Sequence, residues 1–415
     1  MRALVETVVP RRLGIGFRWL LASSWISNLG DGITLAAGPL LVASQTKDPL
    51  LVAMAVLLQR LPWLLFGLYA GVIADRLDRR RIVVAVDLTR TVVLAMLAVT
   101  IVTGWVNIAV VLVAMFLLGT AETFADTTSS TLVPMLVDRA DLGIANARLI
   151  AGYVTVNELA GPPIGAALFA AGMAWPFASE AVCVLLGAVL IAEITLPPHG
   201  RDVESGHVRR DIVEGLSWLW HHSAMRTLAL TIVLFNVTFG AAWSVLVLYA
   251  TERLGLGAIG FGLVTTVGAV GALLGTVIYG TLERHFSLGN IMRIGLLIET
   301  CTHLTLAITT SPWVAMPVFF VFGAHAAVWG TTSSAVRQRA VPMEFQGRVA
   351  SVYMMGVMGG LVVGSAIGGV IAQRAGLAAP FWFAFVGSAI LLAVIWQQLP
   401  QIAHSDEGDL VRQPA

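Results

Sequence analysis

The feature that most constrains the fold is a series of long apolar segments that recurs along the whole chain. About twelve such segments, each of roughly 20 to 28 residues, are separated by charged or Gly/Pro-containing breaks. Each is long enough to cross a hydrocarbon core about 30 Å thick as a helix. Lipid offers backbone groups no hydrogen-bond partners, and continuous rather than alternating apolar runs favour helices over a barrel. The predicted spans are 18–44, 51–74, 82–104, 107–128, 144–172, 176–196, 224–251, 258–282, 288–310, 313–336, 347–375 and 379–399.

Composition agrees with a chain that is surrounded by a lipid bilayer. Only 12% of the residues are charged and 57% are hydrophobic, with a mean hydropathy of +0.85. A soluble domain usually has about 25% charged residues. The sequence therefore predicts an all-α polytopic membrane protein. We expect no nucleic-acid partner, and we find no residue pattern that indicates a cofactor or a metal site.

Basic residues are concentrated in alternate connections between the predicted spans. Clusters of arginine precede the first span and follow the second, fourth, sixth, eighth and tenth spans, whereas the other connections hold only Lys47, Arg253 and Arg374. Positively charged loops stay on the cytoplasmic side of a membrane. We therefore expect both termini in the cytoplasm. The near absence of lysine is typical of a GC-rich bacterial genome, so the predicted location is a bacterial cytoplasmic (inner) membrane.

The second half of the chain repeats the first at a nearly constant offset. The Thr-Thr-Ser-Ser tract of 127–130 recurs at 331–334, which is an offset of 331 − 127 = 204. The same offset relates GMAWPF to GLAAPF, and GLYAGVIADR lines up with GTVIYGTLER at an offset of 275 − 67 = 208. Two parallel six-helix bundles are a transporter architecture. The predicted domains are a bundle at 1–198, a cytoplasmic linker at 199–222, a second bundle at 223–400 and a cytoplasmic tail at 401–415.

The stretch after the second span, GVIADRLDRRR, is the most specific motif in the sequence. It resembles the signature of the major facilitator superfamily, Gly-xxx-Asp-Arg-x-Gly-Arg-Arg, except that Asp78 replaces the second glycine. The resemblance covers essentially the whole chain and implies two pseudo-symmetric six-helix bundles. The matching residues are Gly71, Asp75, Arg76, Arg79 and Arg80.

The resemblance also implies a role for this motif as a cytoplasmic latch. In the family, the aspartate caps the inner end of the eleventh helix when the pathway is closed to the cytoplasm. A carboxylate is stabilised near a helix N-terminus because the backbone N–H groups and the helix dipole are positive there. We expect Asp75 to meet the helix that begins near Gly347, and one of the arginines to pair with Asp126. The same arginines would also fix the topology of the chain.

One further sequence feature bears on the direction of transport. In the fifth span, Gly161, Pro162 and Gly165 resemble the Gly-Pro-xx-Gly motif of exporters, although the earlier glycine of that motif is Asn157 here. Glycine and proline together allow close helix packing and a kink. With this motif the chain is similar to proton-driven drug exporters, such as multidrug efflux pumps and the enterobactin exporter.

Ionisable residues at membrane depth are costly and are candidate functional groups. In the first half these are Asp31 and Arg60, which we expect to form an ion pair, together with Glu122 and Glu158. In the second half they are Glu299, His303 and His325. The alternatives are structural: Asp31 and Arg60 as a purely structural pair, Glu122 and Glu158 as buried hydrogen-bonded carboxyls, and His303 and His325 as interior packing residues. Glu180, near the start of the sixth span, is expected at the membrane interface.

These observations predict a secondary transporter and not an enzyme. We expect export of small amphiphilic molecules, either drugs or a siderophore-like metabolite, by alternating access, with protons as counter-substrate and a monomer as the functional unit. A proton symporter for a nutrient shares the fold. A membrane-embedded enzyme is disfavoured because no nucleophile or metal constellation is present in the sequence, and a transport-dead receptor because the latch charges are nearly all retained.

Overall fold

The computed structural model describes residues 11–196 and 208–399. These residues form helices without any β-strand, which confirms the predicted all-α polytopic membrane protein. Ten helices in the described ranges are long and apolar enough to cross a membrane. The other two predicted spans are a helix at 142–171 that runs in three stretches, and a helix of 17 residues, Ala379–Ile395.

The helices that correspond to the twelve predicted spans are numbered here in chain order. A further helix, Val208–His221, precedes α7 and is called the linker helix. The bounds are α1 Gly14–Gln45, α2 Pro49–Arg76, α3 Arg79–Val102, α4 Ile108–Ser130, α5 Leu142–Gly152 with Tyr153–Ala160 and Gly161–Ala171, α6 Trp175–Ala192, α7 Ser223–Trp243, α8 Ala258–His285, α9 Leu288–Ile308, α10 Pro312–Ala340, α11 Gln346–Ala375 and α12 Ala379–Ile395.

Local sequence signals explain where several of these helices begin. Asp78 and Asn107 are the N-cap residues of α3 and α4, and their side chains accept hydrogen bonds from backbone N–H groups of the first turn. Such caps satisfy donors that have no partner inside the helix. Pro176 and Pro380, which come from the repeated GMAWPF and GLAAPF segments, lie in the first turn of α6 and α12. Proline is favoured there because its missing N–H would have no helical partner.

Contacts divide the chain into two compact units. In the first unit α1 packs mainly against α5 and α6, and α3 packs against α4 and α6. In the second unit α7 packs against α11 and α12, α9 packs against α10 and α12, and the linker helix packs against α11. The first unit is made of Met1–Lys47, Leu58–Glu204 and Gly257–Thr266, and the second of Asp48–Leu57, Ser205–Leu256 and Val267–Ala415.

The middle of α5 is a π-helical stretch, Tyr153–Ala160, that ends just before two prolines. Pro162 and Pro163 have no N–H group to donate to the preceding turn, so regular α-helical hydrogen bonding is interrupted there. A π-helix spaces hydrogen bonds five residues apart, and such segments often mark functional sites. The exporter-like motif therefore begins where the helix returns to α geometry at Gly161.

Candidate functional site

A buried arginine on α3 is the centre of the charge in the first unit. The Nη2 atom of Arg90 forms an ion pair with Oδ1 of Asp31 on α1 and lies 3.5 Å from Oε1 of Glu180 on α6. Its Nη1 atom lies 3.6 Å from Oδ1 of Asp87, one turn earlier on α3. The Arg90 side chain is 7% exposed, whereas that of Asp31 is 23% exposed. We call these four residues the Arg90 cluster; Asp31 is its most exposed member.

Close packing of α1 on α6 brings Asp31 and Glu180 to the same depth. A Cβ atom at Gly30 would lie 2.9 Å from Cβ of Cys183 and 3.3 Å from Cα of Glu180. Any larger residue at position 30 would therefore separate the two helices. The Oγ atom of Ser23, two turns earlier on α1, donates a hydrogen bond of 2.9 Å to the carbonyl oxygen of Gly187 on α6. The carboxylate that follows Gly30 is thus held against α6 and within reach of Arg90.

Two more acidic side chains on α4 extend this charged region. Glu122 interacts electrostatically with Asp31, with Arg90 and with Arg60 on α2. Asp126, one turn later on α4, interacts electrostatically with Asp31 and Arg90.

The charges in this region do not balance. Five carboxyl groups, those of the Arg90 cluster and of α4, face the two guanidinium groups of Arg60 and Arg90. If all were ionised, the region would carry a net charge of 2 − 5 = −3. Such an excess is unfavourable at low dielectric, and binding protons or a cationic ligand relieves it. The arrangement therefore has the chemistry of a cation-binding or proton-binding site.

The predicted ion pair between Asp31 and Arg60 is wrong, because Arg90 occupies that role. Arg60 lies on α2, next to the α4 helix, and its electrostatic partner is Glu122. The expectation that Glu180 is interfacial is also wrong, since its side chain is only 5% exposed and faces Arg90. Asp87 and Arg90 themselves were missed. The available signal was an acidic and a basic residue one helical turn apart inside the third apolar segment.

In the second unit, the three predicted residues do come together. The Nε2 atom of His303 lies 2.7 Å from Oε1 of Glu299, one turn earlier on α9. The Nε2 atom of His325 on α10 lies 3.5 Å from Oε2 of the same carboxylate. All three side chains are at most 1% exposed. The ring of Trp243 meets that of His303 edge-on at 5.9 Å, and Trp329 lies 6.2 Å from His325. This Glu299 triad is a buried acid with two histidines inside an aromatic shell.

The triad is incompletely hydrogen-bonded. Neither Nδ1 of His303 nor Nε2 of His325 has a hydrogen-bond partner that meets normal geometry. Buried polar atoms without partners are uncommon in folded proteins. Among the described residues, no group of three or more His, Cys, Asp or Glu side chains is arranged to hold a metal ion.

The exporter-like motif of α5 lies directly against α1. A Cβ atom at Gly161 would come within 2.5 Å of the backbone of Gly32, and one at Gly165 would overlap with the backbone carbonyl of Ile33. Helix backbones this close tolerate only glycine at the contact. The motif therefore packs α5 onto the turn of α1 that follows Asp31.

Glu158, the remaining predicted residue of the first half, lies in the π-helical stretch of α5. Its carboxylate accepts a hydrogen bond from the Tyr153 hydroxyl. The two residues are five positions apart, which is the repeat of a π-helix. Glu158 is half-buried and is not among the electrostatic partners of Arg90. Glu158 is therefore linked to the Arg90 cluster only indirectly, because the motif that follows it on α5 packs on α1.

The latch motif lies at the end of α2 and the start of α3. The side chain of Asp75 is outside the described part of the structure, Gly71 is half-buried, and Arg76 is exposed. Arg79 donates from Nε to the carbonyl oxygen of Ala74 at 3.1 Å. Asp78, where the family has glycine, caps α3 with its side chain. The expected meeting of Asp75 with the start of α11 stays a prediction.

Arg80 of the same motif has a clear local role. Its Nη1 atom donates to the carbonyl oxygens of Ile194 at 3.0 Å and Ala192 at 3.4 Å. Ala192 is the last residue of α6 and Ile194 lies two residues beyond it, so the guanidinium binds acceptors at the C-terminal end of the helix and balances the negative end of its dipole. The predicted pairing of a latch arginine with Asp126 stays a prediction.

The fold and the buried charges are those of one class of protein, the polytopic membrane transporters. The chain belongs to the transmembrane secretion effector family, which matches residues 7–413 and is a branch of the major facilitator superfamily. This confirms the predicted superfamily and the prediction that the protein is not an enzyme.

Relatives and solved structures agree with this assignment. The chain is 28% identical to the multidrug efflux pump Tap of Mycolicibacterium fortuitum, over 93% of this chain and 96% of that protein. It is 23% identical to macrolide efflux protein A of Streptococcus pyogenes, over 94% of this chain and 97% of that protein. The structure of the nucleoside transporter NupG matches with a TM-score of 0.76 at 10% identity, covering 92% of this chain and 99% of that one. The last likeness shows the fold alone. The family and the relatives support an efflux transporter.

Proposed function

We propose that this protein exports small amphiphilic molecules by alternating access and that inward movement of protons drives the export. The observation that carries the proposal is the unbalanced charge around Arg90: five carboxyl groups share two guanidinium groups. A site of this kind favours a proton or a cationic substrate, and antiport requires that the two compete. Tap is named a multidrug pump and macrolide efflux protein A a macrolide pump. An amphiphilic substrate of the drug type is therefore the proposed cargo.

Asp31 is the proposed entry point for the proton. Its side chain is 23% exposed, compared with 7% for Asp87 and 5% for Glu180. Protonation of Asp31 would release one contact of Arg90 and let the guanidinium turn toward the two buried carboxylates. Deprotonation would restore the ion pair and leave a net negative site that attracts a cationic substrate. Proton and substrate would thus occupy the site in turn.

The energetics of such a cycle are sufficient for drug efflux. One charge that crosses a potential of 100 mV supplies about 2.3 kcal/mol. One pH unit adds about 1.4 kcal/mol. For an uncharged substrate the sum of about 3.7 kcal/mol sustains a concentration ratio of several hundredfold for each proton that enters. Exchange of one proton for one monovalent cation moves no net charge, so the pH term alone then sustains a ratio of about tenfold.

The remaining features of the proposal concern how the cycle is organised in the membrane. The proposed six-helix bundles are residues 1–198 and 223–400, with a cytoplasmic linker at 199–222 and a tail at 401–415. Residues 1–10, 197–207 and 400–415 of these ranges lie outside the described part of the structure. Both termini lie in the cytoplasm of a bacterium, and the monomer in the inner membrane is the functional unit. The latch at the end of α2 closes the cytoplasmic side.

The test is efflux of a lipophilic cationic dye from energised cells, with and without an uncoupler. We expect efflux to require the protein and to stop when the proton gradient is collapsed. Asp31→Asn should abolish uphill efflux, while Glu193→Gln, a matched change of an exposed carboxylate at the end of α6, should leave it intact. Efflux that continues with the uncoupler present contradicts proton coupling. Equal dye retention with and without the protein, for dyes and macrolides alike, contradicts drug export.

A further inference from the structure

The linker helix carries apolar side chains on the face that points away from the protein. Val213, Leu216 and Trp220 are 58%, 52% and 62% exposed. At about 100° per residue, these three positions fall within an arc of about 60° on the helix surface. A helix in water would place polar residues on its outward face. The exposed apolar face of the linker helix therefore indicates contact with an apolar partner.

The opposite side of the same helix is fixed on the first turn of α11. The Oε2 atom of Glu214 lies 2.9 Å from Nη1 of Arg348. A Cβ atom at Gly215 would lie 2.7 Å from the carbonyl oxygen of Arg348, so the two backbones touch. The rings of Trp218 and Phe345 stack with centroids 6.2 Å apart. These contacts set the rotation of the linker helix and leave Val213, Leu216 and Trp220 facing outward.

The position of the linker helix relative to the bilayer follows from α7. Only His222 separates the two helices, and Arg226 in the first turn of α7 donates from Nη1 to the carbonyl oxygen of Trp220 at 2.9 Å. Its guanidinium also lies 5.6 Å from the centroid of the Trp220 ring. On α7 the next residues on this face are Leu230 and Leu234, which are 51% and 50% exposed.

The exposed residues that run from Trp220 along α7 place the linker helix at the membrane surface. Exposed leucines on a membrane-spanning helix face hydrocarbon, and Arg226 precedes them by one turn, about 6 Å. The guanidinium therefore lies at the level of the lipid headgroups, and so does the Trp220 ring that contacts it. Tryptophan and arginine are the residues typical of this layer. The apolar face of the linker helix is continuous with the lipid-facing surface of α7.

We propose that the linker helix lies in the bilayer interface, with Val213, Leu216 and Trp220 immersed among lipid chains, and that from there it holds the beginning of α11. The partner is the phospholipid surface. Arg210 is exposed and lies beside the apolar face, about 60° from Val213 on the helix surface, and basic residues are typical of the polar side of interfacial helices. The lipid contact fixes one side of the helix, and the Glu214–Arg348 and Gly215 contacts transmit that position to α11.

The ion pair that joins the two helices is present over a wide pH range. The hydrogen bond from Arg210 and, after it, the charge of Arg348 lower the pKa of Glu214 below its ordinary value. When folding lowers the pKa of a carboxylate, its contribution to stability is fully present above the pKa that the group has in the unfolded chain. That contribution is lost only as the pH falls through the lower pKa of the folded state. The Glu214 contact with α11 is therefore expected to persist at neutral and mildly acidic pH.

Spin labels on the full-length protein test the position of the helix. Cys183→Ser and Cys301→Ser provide a background without native thiols, into which Leu216→Cys or the control His221→Cys is introduced. The control position is exposed on the same helix but lies about 140° away from Leu216. Each nitroxide-labelled protein is placed in nanodiscs of phosphatidylethanolamine and phosphatidylglycerol. Collisions with oxygen, which dissolves in lipid, are compared with collisions with a water-soluble nickel chelate.

We expect the label at position 216 to collide preferentially with oxygen and the label at position 221 with the nickel chelate. Gly215→Val, which separates the linker helix from α11, should reduce the difference between the two labels. Preferential nickel collisions at both positions would overturn the proposal, because the face would then lie in water. Protection of position 216 from both reagents would also overturn it, because a protein surface would then be the partner. Neither readout depends on transport, so the result is independent of the proposed efflux.

Discussion

Arg90 is the cation shared by the buried carboxylates of the first unit, and its partners can be tested by a double-mutant cycle. We predict that Asp31→Asn and Arg90→Gln are strongly coupled in their effects on stability. Asp31→Asn and Arg60→Gln should be nearly additive, because Arg60 interacts with Glu122 and not with Asp31. The two cycles differ only in which intramembrane arginine is changed, so each is the control for the other.

The expected magnitude follows from the geometry around Arg90. At the 3.5 Å that separates its Nη2 atom from Glu180, Coulomb attraction at an effective dielectric constant of 20 is about 4.7 kcal/mol. The cost of burying both charges offsets much of this attraction, but removing one partner leaves the others without compensation. Such a change costs about 3–5 kcal/mol. We therefore expect Arg90→Gln to lower the free energy of unfolding by about 3–5 kcal/mol, and Asp31→Asn in the same protein to restore about 1–3 kcal/mol.

Unfolding of the purified protein in mixed micelles, followed by tryptophan fluorescence, measures these differences. The chain contains 12 tryptophans, so the signal is strong. The single and double variants are compared at neutral pH, where the carboxylate of an unperturbed aspartate is ionised. Additive effects of Asp31→Asn and Arg90→Gln, within about 0.5 kcal/mol, would refute the ion pair. Equal coupling of Asp31 to Arg60 would refute the assignment of partners.

Three other predictions concern packing, the triad and the latch. Gly165→Ala should destabilise the protein by about 1–3 kcal/mol because its Cβ overlaps with α1, whereas Gly143→Ala, where a Cβ meets nothing within 4 Å, should not; equal unfolding curves would contradict this. Glu299→Gln should cost about 1.5–3 kcal/mol through its charged hydrogen bond, and the exposed control Glu283→Gln much less; a reversed order in the same unfolding assay would show that the triad is not ionic. Asp75→Asn should leave the amount of protein in the membrane unchanged and reduce dye efflux, and wild-type efflux by this variant would exclude the latch.

Most of the fold was accessible from the sequence because membrane helices are specified by length and hydropathy. The broken helix at 142–171 and the short Ala379–Ile395 are the two predicted spans that do not stand out as single long helices in the structure. The sequence nevertheless predicted both as spans, because the apolar run continues through the π-helical stretch. The hydropathy pattern does not record hydrogen-bond geometry, so the π-helix itself had to be observed.

The partners inside the first unit were less accessible, and Asp31 shows why. Its depth in α1 is readable from the sequence, but its partner depends on which helix α1 packs against and at what rotation. The close approach at Gly30 brings Asp31 to Glu180, and α3 supplies Arg90 from the other side. Arg60, at mid-depth in the neighbouring helix, looked equally suitable. Helix neighbours and rotations arise from packing of small residues over the whole unit, which a single sequence does not resolve.

In the second unit the partners of Glu299 could be predicted from the sequence, because they are close along the chain. Glu299 and His303 are four residues apart on α9, so helical geometry alone brings them together. His325 joins them from α10, the helix that is adjacent in the chain and packs against α9. Contacts within a helix or between sequential helices are thus readable from spacing. Contacts between α1, α3 and α6 require the tertiary arrangement.

The two halves, although duplicated in sequence, carry different charges at equivalent depth. At an offset of 204, His325 corresponds to Ala121, the residue before Glu122. The first unit therefore has an excess of carboxylates around Arg90, whereas in the second unit one carboxylate faces two histidines. With every carboxyl and guanidinium group ionised, the first unit carries a net charge of −3 around Arg90 and Arg60, whereas the Glu299 triad is neutral with one histidine protonated. The first unit is therefore the one in which a bound proton or cationic ligand relieves an excess of negative charge.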